Sequence, residues 1–432
     1  MDCTLISTKK TFYPKKILKS FHASRLRRPM STPKSETFHC NKLREAFMNN
    51  NLDDTITNTN RSILFNHNKK IECSLLKSIS KNECTDITKL QLAENIQFKK
   101  IPDKIIYTDE YGFIVKEGSE SINSSKELLK LNARIEKWKY MLNDYKDFST
   151  KYFKKLKSRT RKGIPDNLRS YAWQKFSNFE KYYIKHLFQS LDEKDMDPIL
   201  LKVILHDIDR TFPSCLFFKD KYGEGQRKLF HVLSNYSKYN EEVGYVQGMG
   251  FLAALFLTYM DEESSFFMLH ILLTKYELEG LYLPGFPELN KKFFVLLNLE
   301  KEFIPNVYEV LKKNDLMPST YASEWFMCLF SRNLSFNIVM RIFDCFMLEG
   351  FKVIYRFSLA FLKMKENEFI KAGNSLEYLM NTLSSCFKDV NIDHLFKEAF
   401  SIHLSKNDIK RYENEYEKVK GDRKNEFMSL II

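Results

Sequence analysis

The stretch "DPILLKVILHDIDRTFP", residues 197–213, decides how the chain folds. Pro198 suits the first turn of a helix, where its missing N–H costs nothing and its φ is already helical. Leu201, Ile204, Leu205 and Ile208 then fall on one face at a 3.6-residue period, and Pro213 stops the helix. The spacing predicts an amphipathic helix with Arg210 in its last turn. Asp207, three residues earlier on the same face, is within reach of the guanidinium, and the adjacent His206 reads as a solvated helix residue.

The same period recurs downstream. From Gly163 to about residue 415, helical segments follow one another between breaks such as "PGFPEL" (284–289), "MPST" (317–320) and "LEGFK" (348–352). Strand-like alternation is nearly absent, so the fold class is all-α. "TYASEWFMCLF" and "NIVMRIFDCFMLEG" read as two consecutive buried helices in which the charges of Glu324, Arg341 and Asp344 are expected to be paired. Upstream, Leu128, Leu131, Ile135, Trp138, Met141 and Leu142 mark one further helix. Residues 1–95, rich in Asn, Lys, Ser and Thr and without a sustained period, read as a largely disordered extension.

With 432 residues, 44% of them apolar, the chain can fill a sizeable core. Lys and Arg number 68 against 55 Asp and Glu, but the first fifty residues alone carry 11 against 3. The basic character therefore belongs mainly to the tail. It suits an anionic membrane surface better than a nucleic-acid reader, for which interleaved aromatics and a recognisable module are missing. Eight cysteines, without C-x-x-C pairs or metal-ligand spacing, read as reduced, buried thiols of a cytoplasmic protein. The apolar run at 248–260 is too short to span a bilayer. The acidic-poor N-terminus shares features with a transit peptide but lacks a clear amphipathic helix.

No nucleotide-holding G-x-x-x-x-G-K-[ST], nucleophile elbow or H-E-x-x-H occurs, and "GEGQRK" (223–228) is too short for a dinucleotide turn. What remains is Arg210 and, in "VGYVQGMGF" (243–251), Gln247. Burying an unpaired carboxamide costs a few kcal/mol and each helical glycine about 1 kcal/mol, so this stretch carries a cost that something must offset. An arginine offers a planar fork of donors to phosphate oxygens, and a glutamine can accept from and donate to water. Together they form a phosphoryl-transfer kit without a nucleotide, usable on GTP held by another protein. Taken alone, spacing favours a helix-end cation at 210, facing the macrodipole or Asp207, and a buried hydrogen-bonding strut at 247.

Three stretches, "RKGIPDNLRSYAW" (161–173), "ILHDIDRTFP" (204–213) and "GYVQGM" (244–249), resemble in order and spacing the signature of the TBC domain of Rab GTPase-activating proteins. "EWFMCLF" and "RIFDCFMLEG" are similar to its later segments, and "DEYGFI" (109–114) and "EKWKYML" (136–142) to a lead-in found in many members. The resemblance implies that Arg210 is an arginine finger and Gln247 a glutamine finger replacing the GTPase's own switch glutamine. Asp207, Tyr245, Gly244, Gly248, Gly163, Arg169 and Trp173 are expected to frame the site. The partner is then a Rab-type GTPase in its GTP form, which carries the GTP and Mg²⁺; the chain has no cofactor or metal of its own. Departures are Gly250, where many members have asparagine, and Phe267 and Phe343, where tryptophan is common.

The resulting division is 1–95 extension, 96–154 lead-in turn and helix, 155–405 TBC domain, for which the resemblance implies two helical lobes, and 406–432 charged helix or tail. The expected function is activation of Rab GTP hydrolysis by a cytoplasmic protein peripheral on endomembranes and engaged in vesicle trafficking. A non-catalytic Rab-binding adaptor using the same helical surface is the alternative.

Overall fold

In a computed structural model the structure describes residues 108–115 and 125–422. The expected disorder of 1–95 and the last ten residues of the expected C-terminal helix or tail lie outside these. Among the described residues there is no strand; two isolated bridges, Thr108 with Ile114 and Phe113 with Cys215, are the only extended pairings there.

Helix α1, Ser125–Asn143, packs Trp138, Met141 and Leu142 against the body, while Leu131 on its expected apolar face is exposed. Helices α2, Phe153–Arg161, and α3, Asp166–Ser177, follow. Helix α4 is Pro198–Ile208, with the Asp197 carboxylate accepting from the Ile199 N–H at 2.8 Å and Pro198 in its first turn. Leu201, Ile204 and Ile208 are buried as their spacing requires. The helix, however, ends five residues before Pro213, and Arg210 lies two residues beyond its last turn rather than in it.

Helices α5, Glu224–Tyr239, α6, Met249–Leu257, and α7, Glu262–Thr274, pack on one another and on α4, forming the first lobe. All nine residues of α6 are buried, which a helix apolar all round requires. The "GEGQRK" glycine at 225 has a packing role: a Cβ there would stand 1.9 Å from the Phe217 carbonyl oxygen, so glycine alone lets the turn at Leu216–Lys219 sit on α5.

The second lobe is built on α8, Pro287–Phe303, α10, Phe336–Glu349, α11, Lys352–Met364, α12, Ile392–Ser401, and α13, Lys406–Asp422, with the short α9, Ser323–Met327, between. Helix α10 also packs on α2 and α3, tying the lobes together, and one apolar core runs through both. The segment 320–330 is not one buried helix. It is broken after Tyr321 and ends in Leu329 and Phe330, both at positive φ, because these side chains turn into the core at the cost of helical backbone.

Glu324 is exposed and pairs with Arg332; Asp344 is fully buried and pairs with Arg169. Arg341 reaches Asp393 at 3.2 Å. Cys215, Cys328, Cys345 and Cys386 are buried free thiols; burial pushes those of Cys328 and Cys386 up to about 12.

Candidate functional site

The α4 stripe that buries Ile204 and Ile208 also carries Asp207 inward, to 1% exposure. A carboxylate so placed requires donors, and three elements supply them. Arg210 donates from Nε to Oδ1, the Tyr245 hydroxyl donates to Oδ2, and the Gly248 N–H approaches Oδ2 at 3.3 Å. Burial and the adjacent Asp207 charge hold the Tyr245 phenol far above its ordinary pKa, so it remains a proton donor to that carboxylate. Asp207 thus joins the arginine after α4 to the "GYVQGM" turn before α6.

The backbone at Arg210 is fixed separately. Its N–H donates to the Asp207 carbonyl at 3.2 Å, and the Thr211 hydroxyl donates to the same carbonyl at 2.9 Å. Phe212 sits at φ +46°, a conformation unusual for an aromatic residue. It is held there by ring contacts with Phe113, Phe251 and Phe336 at centroid distances of 5.7, 5.2 and 5.8 Å. Nε is engaged by Asp207, while the Arg210 side chain as a whole is 42% exposed.

Gln247 is exposed, in the turn just before the Gly248 N-cap of α6. It is not the buried strut that spacing alone allowed. Gly248 has φ +104°, and a Cβ would meet Cys328 Sγ at 3.2 Å, so both backbone and space favour glycine. Gly244 has φ +58° beside Leu200. A Cβ at Gly250 would lie 3.1 Å from Thr211 Oγ1 and 3.4 Å from the Tyr245 hydroxyl, so here the glycine accommodates the Asp207 cluster. His206 is exposed on the opposite side of α4 from Ile204.

Gly163, Arg169 and Trp173 gather elsewhere, on Asp344 of α10. Arg169 Nε donates to both its oxygens at 3.2 and 3.3 Å, Trp173 Nε1 to Oδ1 at 3.0 Å, and the Ile164 N–H, next to Gly163, to Oδ2 at 2.9 Å. Burial pushes the Asp344 carboxyl up to about 6, against the pull of Arg169 and these other donors. Phe343 fills the space edge-on to Trp173 at 5.1 Å. These residues brace the junction of α3 and α10. Among the described residues no hydrogen bond links them directly to Arg210.

The lead-in bridges the two groups. Asp109 Oδ1 accepts from the Tyr111 and Phe113 N–H groups, both at 2.9 Å, folding "DEYGFI" into a turn. Ile114 N donates to Ser214 O and Leu216 N to Gly112 O, each at 2.9 Å, so the turn clasps the loop that carries Arg210. Tyr111 lies beside Asp166 and Arg169, and burial together with Asp166 raises its pKa. Sequence reasoning did not foresee this role of Phe113 and Phe212; a pair of aromatics beside a Pro and a Gly is the faint signal that was present.

A family model described as the Rab-GTPase-TBC domain matches residues 131–370. Among curated relatives, the Rab GTPase-activating protein tbc-11 of Caenorhabditis elegans is 32% identical over 307 residues, covering 68% of this chain and 32% of the relative. TBC1 domain family member 10A of Mus musculus is 37% identical over 259 residues, 59% of this chain and 51% of the relative. The chain therefore spans about a third to a half of the length of these relatives.

Among solved structures, the Chlamydomonas flagellar RabGAP TBC domain superposes with a TM-score of 0.53 at 26% identity, covering 68% of this chain and 99% of that one. The Ypt/Rab-GAP domain of Gyp1p, at 18% identity and a TM-score of 0.51, shares the fold. More than half of the chain matches the family model. The chain belongs to the Rab-GTPase-TBC domain family.

Proposed function

We propose that this protein accelerates GTP hydrolysis by a Rab-type small GTPase, acting on the GTP and Mg²⁺ that the partner holds. The observation that carries the reading is the Asp207 carboxylate, which binds the Arg210 guanidinium with one oxygen and the Tyr245–Gly248 turn with the other. A fixed arginine and an exposed glutamine are thereby held on one rigid support.

In this reading Arg210 stabilises charge developing on the transferred phosphoryl group through its Nη donors. Gln247 orients the attacking water in place of the GTPase's switch glutamine. Asp207 holds the fork, Tyr245 holds Asp207, and the glycines at 244 and 248 let the turn approach the partner's nucleotide. Gly163, Arg169 and Trp173 support the site indirectly, by bracing the helices behind the lead-in.

No helix among the described residues is long and apolar enough to cross a membrane. We assign membrane contact to the basic extension, at the cytoplasmic face of an endomembrane where a Rab in vesicle trafficking would be met. Nucleic acid is not a partner in this reading.

Single-turnover GTP hydrolysis by a panel of Rab proteins tests the function. The expected result is strong stimulation of at least one member and its loss with Arg210→Ala. Saturable binding to GTP-loaded Rab without stimulation of any member would replace catalysis by an adaptor role.

A further inference from the structure

The turn that carries Gln247 is gripped from two sides, and only one of them belongs to the Asp207 cluster. On the first-lobe side the Gly248 N–H approaches Asp207 Oδ2 at 3.3 Å, and Gly244 lies beside Leu200 of α4. On the other side Gly248 meets the end of α9. A Cβ at Gly248 would stand 3.2 Å from Cys328 Sγ and 3.9 Å from Met327 Cβ, so the sulfur fills the space against the glycine.

The end of α9 is itself a fixed point. Tyr282, on the stretch joining α7 to α8, donates from its hydroxyl to the Met327 carbonyl at 2.5 Å. This satisfies a helix-end acceptor that α9 cannot satisfy itself. The Cys328 N–H donates to the Glu324 carbonyl at 3.0 Å, and the Cys328 carbonyl accepts from the Ser331 N–H at 2.9 Å and the Ser331 hydroxyl at 2.6 Å. Leu329 and Phe330, both buried at positive φ, then anchor the chain in the core. Tyr282 is 2% exposed and Cys328 4%, so neither side chain can swing away without opening close-packed surroundings.

Burial, with the charges of Glu324 and Asp207, pushes the Cys328 thiol up to about 12, so it acts as a neutral packing group. Gly248, at φ +104°, has no side chain to absorb a displacement. A movement of the sulfur is therefore passed to the backbone of the turn, one residue from Gln247. Arg210 is supported differently. Its side chain bonds to Asp207, and its loop leans, through Phe212, on Phe336 of α10. The two side chains thus have separate supports.

We propose that Cys328 and Tyr282 are positioning residues for Gln247: the end of α9 holds the glutamine turn in register with Arg210, so the second lobe sets the water-orienting half of the site. The inference rests on the GTPase-activating reading and adds which part of the fold controls one of its two groups. Neither residue touches the reacting atoms. Tyr282 fixes the α9 end, and Cys328 transmits that position to the Gly248 backbone.

The test compares the full chain with Cys328→Ala, Cys328→Ser and Tyr282→Phe, each with and without Gln247→Ala, in single-turnover hydrolysis by a Rab that responds to the wild type. Cys328→Ala leaves a gap against Gly248, and Tyr282→Phe strands the Met327 carbonyl. Each should lower the maximal rate about tenfold, short of the roughly 10²-fold of a full 1 Å misplacement. The half-saturating protein concentration should stay the same, because docking is untouched. In the Gln247→Ala background, where only the arginine acts, neither change should slow the reaction further. Cys328→Ser keeps the shape and can donate to the Glu324 carbonyl four residues back, so it should retain most of the rate.

Amide hydrogen exchange of the proteins alone reads the same contact without a GTPase. Cys328→Ala and Tyr282→Phe should speed exchange at Val246 and Gly248, whose N–H groups face Met249 Sδ and Asp207, and leave Arg210 and Thr211 unchanged. Rates that fall equally with and without Gln247 would make both residues structural and overturn the inference, as would unchanged exchange at the turn. If no Rab responds to the wild type, it is the GTPase-activating reading that fails; faster exchange at the turn then still upholds its support by α9, and unchanged exchange overturns it. Should Tyr282→Phe fail to fold, Cys328→Ala against Cys328→Ser carries the comparison, and equal rates with equal exchange in those two would equally overturn the inference.

Discussion

Replacing Asp207 by asparagine would keep the side chain's shape while setting an NH₂ group against a donor, either Arg210 or the Tyr245 hydroxyl. The arginine would then lose its fixed direction without being removed. A misplacement of about 1 Å is enough to cost roughly 10²-fold in rate, and Asp207→Asn is expected to lose about that much stimulated hydrolysis. Arg210→Ala should lose roughly 10³–10⁵-fold, and Arg210→Lys should recover little because a lysine has no planar fork. Arg210 is 42% exposed, but it is the cation paired with the buried Asp207, so Arg210→Ala should cost about 1–3 kcal/mol in denaturant titrations and Arg210→Lys less, with the fold retained in both. Tyr245→Phe removes one donor from Asp207 and leaves Arg210 paired. It should cost about 1–3 kcal/mol of stability and less activity than Asp207→Asn. At this scale the sequence was most readable: the spacing of Asp207 and Arg210 put them in contact, and the glycines at 244 and 248 marked the turn. Spacing could not decide between a buried and an exposed Gln247, because that depends on how α6 meets α4 and α9.

The loop between α4 and the Leu216–Lys219 turn owes its shape to packing rather than to local propensity. Phe212 at positive φ is stabilised by Phe113, Phe251 and Phe336. That is why helix α4 stops at Ile208 although the apolar period and Pro213 suggested a later end. Leu329 and Phe330 break the 320–330 segment in the same way. Non-glycine residues at positive φ carry no sequence signal, so helix existence was legible and these two ends were not. Phe113→Ala tests the lead-in as an element. The side chain is half-buried, so the loss should be below the roughly 3–5 kcal/mol of a fully buried phenylalanine. Stimulated hydrolysis should nevertheless drop by about tenfold or more, since the Arg210 loop loses its clasp. A variant with lowered melting temperature but unchanged single-turnover rate would assign Phe113 to packing alone.

Over the whole molecule, two buried carboxylates show how differently polar groups are accommodated in one core. Asp344 is satisfied by Arg169, Trp173 and the Ile164 N–H, so Asp344→Ala, which leaves those three buried donors without their acceptor, should cost about 3–5 kcal/mol even though Arg169 keeps Asp166 and Tyr259. Glu300 is 1% exposed and accepts from the Tyr321 hydroxyl at 2.6 Å, and burial pushes its carboxyl up to about 8. The native state therefore holds that proton more tightly than the unfolded chain. Its stabilising effect is complete below the ordinary carboxylate value and is lost as pH rises through about 8. Glu300→Gln should melt higher than wild type by a margin that grows from pH 5 to 8; a margin independent of pH would contradict this. Deleting residues 1–95 should leave hydrolysis by soluble Rab nearly unchanged and weaken binding to anionic vesicles at low salt. All-α class, lobe order and the family were legible because the signature stretches fall at the helix ends that converge on Asp207 and Asp344. In the proposed function this molecule supplies both the arginine and the glutamine for a partner's chemistry. The direct test is a two-by-two set of single-turnover rates, the cognate Rab with and without its switch glutamine against wild type and Gln247→Ala, read as a double-mutant cycle. Substantial stimulation of the glutamine-less Rab, abolished by Gln247→Ala, is the predicted result. Complete loss of stimulation on mutating the Rab alone, with binding preserved, would contradict it.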